Sequence, residues 1–398
     1  MATVSLNVVL GEGGLVDRAQ QAKNLTEQAA LEEQKALNSL MDEMTNIMPE
    51  EQTPIPIEEI TKGEIFEETT MVEDATDDIF YVPGGFGIDE ESPNEVDEGI
   101  VISNTDDTKQ FVWIPVNNES LSNMYVFSEE PMQLSGQDLG VEAKTNMYSN
   151  LRVENAEEPE SFVTGTPNSA SLREPDILPS TKSGDAVNGE SDSGIEQIKS
   201  VLGIAGNSSE EVLNNYAKNL VEEYKAVYES TKKYEGFYIG RYEITGNVDN
   251  PTVQKGETVL SNVNYYSLKK ACLNIVSSEY AQSTMIYGNQ WDEVMSWLVK
   301  TGEKTYEEVN IDSSSWGNCA TGDKTSSGYN ELWKANNIYD LSGNCLEITQ
   351  ETFDDGAHIT RGGQYRNISQ IQYASERGSI WPSYYIEYIS TRAILYVK

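Results

Sequence analysis

Short apolar stretches separated by turn residues dominate the last 160 or so positions, and this spacing restricts the fold more than any other feature of the sequence. Strand-like stretches occupy 79–82, 99–102, 111–116 and 237–243, and helical patterns occupy 265–280 and 289–301. The second helical pattern places Trp291, Val294, Met295 and Leu298 on one face. Short β-branched and aromatic strands beside a few helices predict an α+β fold with much coil.

The rest of the chain divides by composition. A narrow, alanine-rich helical pattern ends at Pro49 and predicts a stem over 1–48. Residues 49–78 are acidic and rich in proline, which predicts an extended linker. We expect a domain over 79–398 that carries a long insertion at about 117–232. Within that insertion, Ser208 and Glu211 have the spacing of a capping box at the start of an amphipathic helix.

Acidic residues are concentrated near the start of the sequence. Residues 1–110 hold 26 acidic and 5 basic side chains, out of a whole-chain net charge of −39. Such a surface repels phosphate backbones, which argues against a nucleic-acid partner and disfavours anionic membranes. The chain also lacks an apolar run of roughly 18 residues, so none of it is predicted to span a membrane.

Cysteine and histidine are sparse. Cys272, Cys319 and Cys345 allow at most one internal disulfide, and their spacing matches no zinc or redox motif. His358 is the single histidine, which excludes a three-histidine metal centre.

Five segments in order resemble the formylglycine-generating-enzyme/sulfatase-modifying family. They are GFYIGRYE (236–243), MIYGNQWDEVMSWL (285–298), NNIYDLSGNCLEIT (336–349), RGGQYR (361–366) and STRAILYVK (390–398). The resemblance implies a C-type-lectin-like fold with short strands, two helices and much coil. It also implies a structural Ca²⁺ bound by Asp340, the carbonyls of Gly343 and Cys345, and Glu347, and such oxygen ligands suit calcium. The alternative is a solvated turn that carries two unrelated acids.

The catalytic residues of that family are not matched in this sequence. The sulfatase-modifying branch uses cysteines after its RGG motif, and none occurs between Gly363 and Lys398. The iron-dependent relatives need a set of histidines, and this chain has one. We therefore expect a protein that is not an enzyme, in which Arg361 and Arg392 have architectural roles.

The stretch 365–390 is rich in tyrosine, isoleucine and serine, the side chains that form adaptable binding surfaces. Adjacent Tyr384 and Tyr385 cannot both point inward from a regular strand, which favours a surface over a β-rich core. The predicted ligand-binding residues are Tyr365, Asn367, Ile371, Tyr373, Ser379, Ile380, Trp381, Ser383, Tyr384, Tyr385, Ile386, Tyr388 and Ile389. The expected ligand is an extracellular protein or a glycan.

Two further resemblances bear on the biological setting. Residues 365–390 resemble the variable region of ligand-binding proteins diversified by retroelements, in which adenine-directed mutagenesis of asparagine-type codons yields Asn, Ser, Tyr and Ile. Residues 4–34 resemble the stretch that follows the membrane-embedded stem of type IV prepilin-like proteins of Gram-positive bacteria. That resemblance implies a native membrane segment ahead of residue 1, a location at the cell surface or in a pilus, and pilin or homo-oligomer partners through 15–48.

Three interpretations of function stay open at this point. The first is a cell-surface, adhesin-like binding protein with a hypervariable surface. The second is a structural pilus subunit without a ligand. The third is a phage receptor-binding tip that trimerises through 15–48.

Overall fold

The chain divides into two compact units, Met1–Thr53 and Pro54–Lys398. The computed structural model describes residues 53–118, 120–121, 126–128, 133–134, 137–138, 144–146, 191–319, 321–352, 357–366 and 372–398. The predicted stem of 1–48 lies outside these residues. The second unit is described below.

Five α-helices and four short 3₁₀ segments have described bounds. The helices are α1 Ser191–Ser200, α2 Ser209–Tyr234, α3 Tyr265–Ile275, α4 Gly288–Lys300 and α5 Tyr306–Asn310. The 3₁₀ segments are Ile57–Glu59, Val96–Glu98, Ser314–Trp316 and Glu331–Trp333. Ser208 caps α2 as predicted, since its side chain accepts a hydrogen bond from the Glu211 N–H at 3.2 Å. Within the described part of the chain, no helix combines the length and apolar character needed to cross a bilayer.

Most strands are short, as the sequence predicts. They are β1 Ile55–Pro56, β2 Thr70–Glu73, β3 Ile79–Val82, β4 Gly87–Ile88, β5 Val101–Ser103, β6 Gln110–Pro115, β7 Val126–Ser128, β8 Gln133–Leu134, β9 Gln137–Asp138, β10 Lys144–Asn146, β11 Gly236–Gly240, β12 Thr245–Gly246, β13 Pro251–Thr252, β14 Ala281–Met285, β15 Lys334–Ala335, β16 Ile338–Tyr339, β17 Leu346–Thr352, β18 His358–Arg361, β19 Gly378–Ile380, β20 Ile389–Ser390 and β21 Ala393–Val397. Helices and several sheets in one unit place the protein in the α+β class.

A six-stranded antiparallel sheet forms the centre of the unit, in the order β14-β21-β11-β6-β5-β4. Both of its faces are buried: successive side chains of a strand point to opposite faces, and here successive side chains are all in the core. On β6, Phe111 and Trp113 belong to one apolar cluster and Val112 and Ile114 to the other, all fully buried. This explains why the central strands are almost continuously apolar rather than alternating.

Helix α2 contributes to both apolar layers. Its first half packs Val212, Tyr216 and Leu220 into the cluster of Phe111, and its second half packs Tyr224 and Val227 into the other cluster. The C-terminal part of the predicted insertion is therefore an integral part of the core.

The predicted linker of 49–78 differs from the structure, which includes Pro54 onward in the compact unit. β2 pairs antiparallel with β3, and β1 pairs parallel with β2. Ile57 and Val72 are buried at 2% and 0% exposure. Ile57 and Val72 attach this acidic segment, because both enter a core formed by distant parts of the chain.

A four-stranded sheet, β19-β18-β17-β20, carries the end of the predicted binding region. β17 pairs antiparallel with β18 and parallel with β20, and β18 pairs antiparallel with β19. The connection from β19 to β20, residues 381–388, therefore starts and ends on one sheet. We call residues 381–388 the tyrosine loop.

Candidate ligand-binding surface

The backbone of the tyrosine loop is fixed to other elements at three points. The N–H of Tyr265, at the start of α3, donates to the Pro382 carbonyl at 3.0 Å. The N–H of Asn262 donates to the Ile386 carbonyl, also at 3.0 Å. The N–H of Leu346 on β17 donates to the Tyr388 carbonyl at 2.9 Å. These bonds leave little freedom to the loop backbone, so its side chains are displayed from a rigid support.

Tyr384 and Tyr385 are the two large aromatic residues that the loop exposes. Their exposures are 52% and 57%. The Asn264 side-chain amide donates to the Tyr385 hydroxyl at 3.2 Å, which restricts that ring. The Tyr384 N–H donates to the Trp381 carbonyl at 3.1 Å, so the two tyrosines follow a tight turn. Neither ring belongs to the apolar core, as the adjacency argument predicts.

Most other predicted contact residues lie partly at the surface. Ser379 is exposed, and the half-buried members are Tyr373, Trp381, Ser383, Ile386 and Tyr388. Ile386 and Tyr388 also pack against the core from outside. These side chains therefore support the two exposed tyrosines more than they present area of their own.

Three predicted contact residues are buried and cannot form a surface as the protein stands. Tyr365, Ile380 and Ile389 are exposed by 7%, 9% and 4%. Ile380 and Ile389 end β19 and begin β20, where the sheet turns them into the core. Burial raises the pKa of Tyr365. Two more predicted residues, Asn367 and Ile371, lie outside the described residues.

An exposed ion pair that the sequence did not reveal borders the loop. The guanidinium of Arg366 lies 2.6 Å from the Glu387 carboxylate, with side-chain exposures of 50% and 57%. The same guanidinium lies 5.7 Å from the centre of the Tyr388 ring. A pair this exposed contributes at most about 1 kcal/mol to stability, so its charges remain available to a ligand.

A second exposed apolar group lies on the 3₁₀ segment 331–333 and beside it. Tyr329 and Leu332 are exposed by 68% and 74%, more than the tyrosines of the loop. The rings of Tyr329 and Trp333 are 5.9 Å apart. No periodicity distinguishes these residues in the sequence, and their exposure follows only from the structure.

The predicted calcium ligand Glu347 is bound to an arginine instead. Arg392 Nη2 lies 2.6 Å from Glu347 Oε1, and Arg392 Nε lies 3.0 Å from Glu347 Oε2. The same guanidinium donates to the carbonyls of Gly240 and Tyr339, each at 2.8 Å. Both side chains are almost fully buried. Arg392 therefore has the architectural role that the sequence predicts.

Asp340 and Cys345, two other predicted ligands, have hydrogen-bond partners of their own. The N–H of Gly328 donates to Asp340 Oδ2 at 2.8 Å, and burial raises the pKa of Asp340 to about 6. A neighbouring carboxylate, Glu243, accepts from the Cys345 N–H at 3.1 Å. Across the described residues, no three His, Cys, Asp or Glu side chains are grouped so as to hold a metal ion. The predicted set needs only the side chains of Asp340 and Glu347 beside the carbonyls of Gly343 and Cys345, so the Ca²⁺ site stays a prediction, with Glu347 paired to Arg392.

Arg361 has the architectural role that the sequence predicts. It is fully buried, 2.8 Å from Asp292 and 3.3 Å from Glu351. Arg377 pairs with the same two carboxylates. Two guanidinium groups and two carboxylates thus neutralise one another beneath β18, and neutral clusters of this kind avoid an uncompensated buried charge.

All three cysteines are free and buried. Burial raises the pKa of the Cys272, Cys319 and Cys345 thiols. Each is therefore a neutral thiol at neutral pH, a poor nucleophile and a poor metal ligand.

Comparison with known protein families, curated proteins and solved structures does not identify a relative of this chain. No family model matches the sequence, and no curated protein matches it. Among solved structures, the crystal structure of CarF matches with a TM-score of 0.30 and 14% identity, over 41% of this chain and 87% of CarF. A likeness at that level carries no argument about fold or function, so the resemblances drawn from the sequence stay predictions.

Proposed function

We propose that this protein is a non-catalytic, extracellular ligand-binding protein that uses the tyrosine loop to bind a protein or a glycan. The observation that carries the proposal is the pair Tyr384 and Tyr385, two adjacent aromatic side chains about half exposed on a loop whose backbone is fixed at three points. Exposing such rings has no role in folding the core.

The chemistry of this surface suits recognition of a large partner. A tyrosine offers a broad apolar face and a hydroxyl, and it loses little conformational freedom on binding. Ser379 and Ser383 add hydroxyl groups that hydrogen-bond in several directions. Arg366 and Glu387 place one charge of each sign beside the rings. A rigid backbone lowers the entropy lost on binding.

A lectin-like scaffold and a diversified surface are the finer parts of the proposal. The order of the five family-like segments supports the scaffold, and so does a last strand, β21, that pairs on both sides within the central sheet. The tyrosine loop leaves one sheet and returns to it, so side chains at its surface can change without altering the core. Such tolerance is what a hypervariable region needs.

The state of the thiols supports a binding role over catalysis. An enzyme that uses cysteine needs an accessible thiolate, whereas all three thiols here are buried with raised pKa values. His358 is also buried, and burial lowers its pKa to about 3, which is unsuited to acid–base chemistry at neutral pH.

The binding proposal is tested with an array of immobilised glycans and purified extracellular proteins. The Tyr384→Ala/Tyr385→Ala double variant should lose every signal that the unaltered protein gives. Its free energy of unfolding should fall by only about 1–2 kcal/mol, because the rings are half exposed and one hydrogen bond is lost. The Tyr329→Ala/Leu332→Ala variant is the control, since it truncates a more exposed apolar pair elsewhere, and it should keep the signals.

A reversed outcome, with signals lost only in the control, would move the binding site to the segment around Tyr329. A large loss of stability in the loop variant would instead favour a core role for the tyrosines. Deep sequencing of the gene's 3′ end in a growing population tests diversification separately. Variation confined to codons 365–390 supports it, and an invariant sequence leaves a binder of fixed specificity.

A further inference from the structure

A polar cavity of about 350 Å³ lies beside the turn that joins β5 to β6. None of its lining residues belongs to the tyrosine loop. Four carboxylates line it, those of Asp89, Glu90, Glu91 and Asp107, together with the guanidinium-bearing residue Arg241. The volume falls in the range of small-molecule sites.

Arg241 is fixed and retains hydrogen-bonding capacity. Its side chain is 8% exposed. Nη1 donates to the Gln110 side-chain oxygen at 2.9 Å and lies 3.9 Å from Asp89 Oδ1. The guanidinium stacks near the rings of Tyr242 and Tyr339, at 5.6 and 5.8 Å from their centres. Among the described residues, no acceptor lies within hydrogen-bonding distance of the buried Nε. Because Arg241 lines the cavity, an oxygen that enters it can accept from the guanidinium.

The other cation of the cavity is already engaged. Lys255 pairs with Glu331, and both groups are about half exposed. Glu331 also accepts a hydrogen bond from the Tyr339 hydroxyl at 2.6 Å. Arg241 is thus the more buried of the two cations, and the carboxylates of Glu90, Glu91 and Asp107 are exposed acceptors.

The combination of charges selects the chemistry of a ligand. Four carboxylates repel an anion, and the fixed guanidinium of Arg241 repels a cation from the innermost part of the wall. Carboxylates need hydrogen-bond donors, while Arg241 needs an acceptor. A hydroxyl group is both, and several adjacent hydroxyls on one small ring satisfy both demands together.

We propose that this cavity binds a neutral saccharide unit, with ring hydroxyls donating to Asp89, Glu90, Glu91 and Asp107 and accepting from Arg241. This site is separate from the tyrosine loop and does not depend on the function proposed for that loop. Ser103, Asn104 and Thr105 add further hydroxyl and amide groups along the same wall.

Saturation-transfer difference NMR on the full chain tests the site. The probes are D-glucose, D-galactose and D-mannose, with gluconate as the anionic, putrescine as the cationic and glycine as the zwitterionic comparison. At least one neutral hexose should show transfer, and the three comparison compounds should show none. The Arg241→Lys variant should weaken the bound hexose about tenfold or more, since it removes the planar donor group.

A variant that fills the cavity avoids disturbing the core. Thr105 is exposed on the turn and lines the cavity, so Thr105→Trp should abolish transfer and keep the melting temperature. Glu279→Trp is the matched control, because Glu279 is equally exposed on a turn and does not line the cavity. It should keep transfer, as should Tyr384→Ala/Tyr385→Ala.

Four outcomes would overturn the proposal. The first is the absence of transfer to all three hexoses. The second is transfer to putrescine or gluconate in preference to the hexoses, which would assign a charged ligand. The third is transfer to glycine, which would assign an amino acid. The fourth is hexose transfer that persists in Thr105→Trp, which would place the sugar elsewhere.

Discussion

Replacing Arg392 with methionine should destabilise the protein far more than replacing its partner Glu347 with glutamine. Methionine keeps much of the volume of the arginine stem and removes the guanidinium. The change leaves the Glu347 carboxylate buried without its counter-ion, and it removes the donors to the carbonyls of Gly240 and Tyr339. Losing one partner of a buried pair costs about 3–5 kcal/mol, and each unsatisfied carbonyl adds about 1 kcal/mol or more. We expect a total loss of about 5 kcal/mol or more.

Glu347→Gln is the milder change for a physical reason. The amide oxygen still accepts from Arg392, the two carbonyl bonds remain, and Asp340 and Glu243 are close enough to influence the remaining positive charge. We expect a loss of about 2 kcal/mol. Urea unfolding followed by tryptophan fluorescence measures both variants, because the free energy falls linearly with urea concentration.

The pH dependence of the Arg392→Met variant gives a sharper criterion. Burial raises the pKa values of Glu243, Asp340 and Glu347, and Arg392 lowers them. Without the guanidinium these carboxyls titrate at still higher pH. The folded variant then binds more protons than its unfolded chain, so its stability falls as pH rises. The loss relative to the unaltered protein should be smaller at pH 5 than at pH 8. Equal losses at both pH values, or equal losses in the two variants, would refute the description of a buried charge held by Arg392.

Three further changes test other parts of the structure. Burial raises the pKa of Glu293 to about 7, so the contribution of this carboxyl to stability is lost as pH rises from about 4.5 to 7. Glu293→Gln should therefore be up to about 3 kcal/mol more stable than the unaltered protein at pH 8, with little difference at pH 4. Urea titrations at the two pH values measure both differences. Lys269→Met should cost about 3 kcal/mol or more, because it removes the counter-ion 2.5 Å from the largely buried Glu223 carboxylate and leaves only neutral donors to it. The neighbouring pair of Lys270 and Asp249 is more exposed, so Lys270→Met should cost less than about 1 kcal/mol, and equal effects would contradict the assigned burial. Gly343→Ala should lower the melting temperature markedly, since the φ of Gly343 is +81° and a Cβ would collide with the backbone of Asn318, which forms a β-bridge with Gly343. An unchanged melting curve would count against that bridge.

Local patterns gave much of the secondary structure. The strand at 79–82 has the predicted bounds, and α4 buries Trp291 and Leu298 as predicted, although its polar residues, such as Asp292 and Glu293, are buried too. The helix predicted over 265–280 ends at Ile275, because the chain turns there to pair as β14. These successes come from periodicity, which is a local property of the sequence.

The misplaced elements all depend on distant partners. The segment from Pro54 to Glu73 resembles a linker in composition, and it is ordered by pairing with β3 and by burial of Ile57 and Val72 in a core formed by distant residues. Tyr365 and Tyr384 both lie in the tyrosine- and serine-rich stretch 365–390 of the sequence, yet Tyr365 is buried and Tyr384 is exposed. Composition predicts that such a stretch contains a surface. Composition cannot select the residues that form the surface, because short strands joined by coil have no hydrophobic periodicity that distinguishes buried from exposed positions.

The position of β21 has a consequence for synthesis on the ribosome. Residues 393–397 pair with β14 on one side and β11 on the other, and so join the edge strand β14 to the rest of the sheet. During translation they emerge after every other strand of that sheet, so the nascent chain holds a gap between β14 and β11 until the end. Both strands would then present unpaired edges, which invite association with other chains. Folding of this unit should therefore complete only after translation has passed β21, and cells that produce the protein would need to shield those edges until then.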